Sequence, residues 1–117
     1  MRTFTLDEAH AVAAEVVALG DELVAVRADL TARRSQAGPG SLAEVKGLEA
    51  RLADLLDRIV GLEVQLKGWA PLLVDIPVVH EDRVVLLCLL EGDRELAWYH
   101  EIDHGFPGRR PLSHLGL

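Results

Sequence analysis

Two apolar stripes of helical period, separated by a glycine- and proline-bearing break and followed by a switch to a period of two, leave few folds open to this chain. The first stripe is Ala9, Val12, Val16, Leu19, Leu23, Val26 and Leu30. Its steps alternate between three and four, as one buried face of a helix requires. The second, Val45, Leu48, Leu52, Leu55, Ile59 and Leu62, keeps the same alternation and reads as a heptad seam. Thr5 followed by Glu8 forms a capping box at the head of the first helix, predicted over 6–34. Gly20 interrupts that helix at a cost of about 1 kcal/mol against alanine, so it marks a bend or a close approach. Gln36-Ala37-Gly38-Pro39-Gly40 is the break. Ser41 and Glu44 offer a second capping box, and Gly61 is the expected residue just past the second helix. Two long helices and a short loop make an antiparallel hairpin. Val17, Val24, Leu56 and Val60 fall off both seams. Either the chain's own sheet or a second copy of the chain must cover them.

Beyond Gly61 the pattern is that of strands. Leu62 to Lys67 alternates apolar and polar. Arg83 to Leu90 is a continuous β-branched and aliphatic run, Glu91-Gly92-Asp93-Arg94 a turn, and Glu95 to Glu101 the returning strand. Trp69 to Pro77 carries two prolines and is expected as an edge strand or an extended connection. The predicted class is therefore α+β. A long antiparallel two-helix hairpin (1–61) carries a small antiparallel meander (62–104) and a Gly/Pro/Arg tail (105–117), all in one domain spanning 1–117. Half of the 117 residues are apolar, enough for a core of that size.

Charge narrows the function classes. Acids outnumber bases 19 to 12, with the excess present before and after residue 67. Nucleic acid and anionic membrane both call for a basic face, so neither is an expected partner. No apolar run approaches the roughly 20 residues of a membrane span. The N-terminus lacks the apolar stretch of a signal peptide. Cys88 is the lone cysteine, which fits a reducing compartment. A cytoplasmic protein is expected.

The chemistry concentrates between Trp98 and Leu112. His100-Glu101-Ile102-Asp103-His104 spells the zincin motif, but that motif works only on a helix, and the preceding residues read as strand. In an extended chain His100 and His104 share a face, with Glu101 and Asp103 on the other. With Asp75, and His80 in reserve, these residues are the candidate ligands for a divalent transition metal (zinc, iron, nickel or manganese). The plainer expectation is a strand end with solvated polar side chains. Arg109 and Arg110, set beside two glycines, are candidates for an anion clamp. The plainer expectation for them is an ion pair to Glu101, Asp103 or a helix carboxylate. Of Trp98 and Tyr99, one should enter the core and the other should not. Cys88, inside an aliphatic run, reads as a buried small hydrophobe rather than a nucleophile. His10 and His114 read as solvated.

Several segments together resemble a known family. Phe4 to Ala9 opening a helix, Leu73-Val74-Asp75-Ile76-Pro77, Leu87-Cys88, Trp98-Tyr99-His100-Glu101, and Gly105-Phe106-Pro107-Gly108-Arg109-Arg110-Pro111-Leu112 look like DUF2203, small bacterial and archaeal proteins of unknown function. Ile76 and Leu89 depart from the resemblance, standing where an aromatic and a tryptophan are expected. The resemblance implies this fold and a site near His100, and no activity. Two functions then stand side by side. One is a dimeric structural or interaction module that self-associates through the helical hairpin and engages a protein partner or a small anionic ligand. The other is a metal-binding protein, a hydrolase or oxidoreductase of small substrates, centred on His100–His104.

Overall fold

A computed structural model describes residues 1–36, 38 and 41–117. Two helices, α1 (Leu6–Ser35) and α2 (Leu42–Gly61), precede five strands: β1 (Gln65–Trp69), β2 (Leu72–His80), β3 (Arg83–Leu90), β4 (Trp98–Glu101) and β5 (Arg110–Pro111). The strands form one antiparallel sheet in chain order, a meander, which packs on the helical hairpin. The α+β architecture is that expected from the two periodicities.

The ends of the elements follow local chemistry. At α1 the Thr5 hydroxyl accepts the Glu8 N–H at 3.1 Å, and the Glu8 carboxylate accepts the Thr5 N–H at 2.8 Å, the predicted capping box. The second predicted box does not form. Ser41 is itself in helical backbone geometry, and its hydroxyl turns back to Gly38, donating to the carbonyl at 2.8 Å and accepting the N–H at 3.4 Å instead of an N–H of α2. The loop residues 37, 39 and 40 lie outside the described residues. Gly61 is the last residue of α2 rather than the one past it; the left-handed turn falls on Glu63 at φ 66°. The first strand accordingly begins at Gln65, later than the predicted Leu62, because α2 holds its last turn to Gly61.

Trp69 to Pro77, left open between edge and connection, supplies most of β2, which is paired on both sides. Pro77 is tolerated because its own carbonyl faces the N-terminal segment, accepting the Phe4 N–H at 2.8 Å. Its missing N–H would point the same way, past the end of β1, so no bond to β3 is lost.

Strand alternation divides the sheet. Val74, Ile76 and Val78 of β2, Val85, Leu87 and Leu89 of β3, and Tyr99 of β4 face α1 and α2 and are buried with Val16, Leu23, Leu55 and Ile59. Each such side chain contributes roughly 1.5–3 kcal/mol through burial. At Gly20 the sheet comes close: a Cβ there would lie 2.9 Å from the Leu72 side chain. Val17 and Val24, off the first seam, line a cavity of about 280 Å³ against Leu72 and Leu89. Arg27 clamps this end, donating two bonds to Glu91 at 2.8 and 2.7 Å and one to the Trp69 carbonyl at 2.7 Å. Beyond Arg27 the helices continue without the sheet as an arm, in a molecule measuring 58 × 24 × 22 Å.

Candidate functional site

The opposite face of the sheet is chemically different. Asp75, Cys88 and Trp98 lie directly across from one another on β2, β3 and β4, and Pro77, Leu86 and His100 form the next row. Asp75 and His100 are both almost fully buried, at 4% and 3% exposure. They are the only buried charged or polar side chains of the described residues. His100 Nε2 lies 3.0 Å from Asp75 Oδ2, and His100 Nδ1 lies 2.8 Å from the Glu101 carbonyl. A carbonyl only accepts, so Nδ1 carries a proton. A second proton must sit between Nε2 and the carboxyl, on one or the other. The pair is net neutral in either case.

The tail completes the cluster. Gly105 takes φ 64°, ψ −176°, a backbone region open essentially to glycine alone. The chain then makes a short 3₁₀ turn, Phe106–Gly108, pressed so closely that a Cβ on Gly108 would lie 2.8 Å from the His104 Cβ. This reversal returns the chain to pair with β4 as β5. It sets the Arg109 guanidinium 4.8 Å from the Trp98 ring centre and 4.6 Å from that of Phe106. Tyr99, on the other face of β4, is in the core, so the aromatic pair divides as the alternation predicts.

Two buried polar atoms here have no hydrogen-bond partner: Asp75 Oδ1 and Arg109 Nη1. The Cys88 thiol stands within the field of both. Burial is the main force that pushes its pKa up to about 11; the Asp75 charge adds to it, and the Arg109 guanidinium opposes it. Cys88 is thus a protonated, fully buried thiol, as its aliphatic setting predicts.

The candidate ligands do not converge. His100 and Asp75 meet, but β4 ends at Glu101, so the extended parity that would align His104 with His100 is lost. His104 and Asp103 lie exposed in the following turn. Glu101 pairs with Arg83 at 3.2 Å. His80 lies at the far end of β2 near Glu81. Among the described residues no three His, Cys, Asp or Glu side chains gather as a metal would need. The neighbouring guanidinium would also oppose a dication, so the residues present do not fit a metal centre. The arginines depart from their plainer expectation too. Among the described residues neither Arg109 nor Arg110 forms an ion pair with any carboxylate, and Arg110 is exposed on β5. Sequence reasoning does not place Cys88 between Asp75 and Trp98. Its sequence signal is faint: a lone acid, Asp75, inside one apolar run, and a lone thiol inside the next.

A second feature lies on the arm. Arg27, Leu30, Arg34, Glu49, Leu56 and Trp69 line a groove of about 420 Å³ between the helices, with Trp69 at its head 45% exposed.

These features define a small α+β protein, a helical hairpin carrying a five-stranded meander with one apolar face and one face holding a buried polar cluster. The family model for DUF2203, an uncharacterized conserved protein, matches residues 2–112, and the chain belongs to that family. No curated protein and no solved structure matches it.

Proposed function

We propose that the protein is a cytoplasmic interaction module that works as a dimer, with a second copy lying along the arm. The supporting observation is the groove headed by Trp69. The sheet lies over Val17 and Val24 but stops at Arg27, leaving the half-buried Leu56 and the exposed Trp69 facing the groove. A second copy fits because the groove presents both signs of charge. Arg34 and Glu49, paired at 3.2 Å within one copy, would meet their opposite numbers across a twofold axis. Burying the exposed part of each Trp69, roughly 100 Å², contributes about 2.5 kcal/mol per copy. The free, buried Cys88 is in keeping with a reducing compartment.

Sedimentation equilibrium tests this reading. The expected mass is twice the 12.8 kDa of the chain. Trp69→Ala is expected to weaken the dimer by about three to four orders of magnitude, since two copies of the contact are lost at once. A parent protein that stays monomeric into the high micromolar range, or a Trp69→Ala dimer as tight as the parent, would overturn it.

A further inference from the structure

We propose that Arg109 Nη1 and Asp75 Oδ1 are the two halves of a seat for a small oxyanion that carries its own proton, of which hydrogen phosphate and bicarbonate are the simplest members. Both atoms are buried and both lack a partner. A buried donor or acceptor atom left without a hydrogen bond costs about 1–3 kcal/mol, so one of each kind in one cluster calls for a common partner. Placement makes one feasible. Asp75 and Trp98 stand on either side of Cys88 in one row, and adjacent strands lie about 4.8 Å apart. Arg109 lies against the Trp98 ring. The middle of the row is Cys88, a smaller side chain than Leu86 and Leu90, which flank it on this face of β3.

Charge selects an anion. The Asp75–His100 pair is net neutral, and the guanidinium, always cationic, has no carboxylate partner among the described residues. The acceptor at Asp75 then selects among anions. A bare anion would place oxygen against oxygen there. An anion with an O–H donates to Oδ1 while its charged oxygens accept from Arg109. Sulfate, nitrate and chloride have no such proton at neutral pH. Both atoms are shut off from bulk water, so entry requires the Gly105–Gly108 turn, which holds Phe106 against Arg109, to lift.

Equilibrium dialysis of the full chain against isotopically labelled phosphate and, separately, labelled bicarbonate tests the proposal at constant pH and ionic strength. Saturable binding of one equivalent of either anion is expected, undiminished by a tenfold excess of sulfate. Arg109→Met should weaken binding by at least about tenfold while leaving the far-ultraviolet circular dichroism unchanged. Asp75→Asn, which replaces the acceptor by a donor, should admit sulfate as a competitor. Absence of saturable binding of both anions overturns the proposal. So does displacement by sulfate from the parent protein, or full binding by Arg109→Met. If Asp75→Asn does not fold, the sulfate competition on the parent and the Arg109→Met measurement still decide the matter.

Discussion

Removing His100 is the most informative single perturbation of the fold. In His100→Ala the Asp75 carboxylate stays where it is, 4% exposed, and loses the only hydrogen bond it has. Both of its oxygens are then unpartnered in a dry site. Breaking a buried pair from one side costs about 3–5 kcal/mol. A chain of this length has a total stability of roughly 6–18 kcal/mol, so the loss is a large share of it. At roughly 4 °C per kcal/mol, the melting temperature should fall by about 12–20 °C. The paired replacement Asp75→Val with His100→Leu should behave differently. It removes both polar partners and keeps the volumes close, so its cost should stay below about 1.5 kcal/mol. Urea unfolding followed by circular dichroism at 222 nm measures both variants, and the three proteins should share a slope. A double variant no more stable than His100→Ala would refute the reasoning, because the loss would then arise from packing at position 100 rather than from an orphaned charge.

Cys88 should react with a disulfide reagent at pH 8 at least about a hundredfold more slowly in the native protein than in urea, since its pKa is pushed up to about 11 against an ordinary 9.0 and two units cost that factor in thiolate; a native rate within tenfold of the unfolded one would contradict the placement. Because that folded value is the raised one, the same thiol should also lower stability as pH climbs from about 9 to 11. Glu91 titrates the other way. The Arg27 side chain, and after it the Leu72 N–H, hold its carboxyl below the usual value, so its contribution is present above pH 4.5 and is lost as pH falls through the depressed value. Glu91→Gln should therefore lose less stability than the parent between pH 5 and pH 3, and parallel urea midpoints across that range would refute it.

The helices were legible because a buried helical face repeats a spacing that nothing else produces, and Ala9, Val12, Val16, Leu23, Leu30, Leu52, Leu55 and Ile59 of the two stripes are buried. Ser41 shows where such reading fails. A capping signature specifies which side chains are present, not the backbone angle that aims them, and here the hydroxyl is committed to the preceding turn. Pro77 is a similar case. Proline excludes a ladder bond on one side only, and which side is free depends on β1 ending early, a fact of register invisible in composition. For the site, Asp75 and His100 were both candidates on residue type, and the sheet brings them together. His104 was a candidate through alternation, which holds only while the chain stays extended, and β4 stops three residues short of it.

The two faces of the sheet call for different explanations. The inner face is apolar throughout, and its burial is sufficient reason for its residues. The outer face could have been closed the same way, since a buried ion pair is often no more stabilising than aliphatic residues of similar volume. Instead it holds a neutralised Asp–His pair, a thiol, and an arginine carried in by a turn whose glycine adopts φ 64°. That turn packs few residues into the core: within 102–111 none is buried, and only Leu112 beyond it is. Its main structural result is the position of one guanidinium between two aromatic rings, with one nitrogen left unsatisfied. Burial alone does not select this arrangement, because the turn leaves a half-buried guanidinium with one buried nitrogen unsatisfied. The oxyanion proposed above would complete that pairing, meeting the guanidinium on one side of the thiol and the unsatisfied Asp75 oxygen on the other.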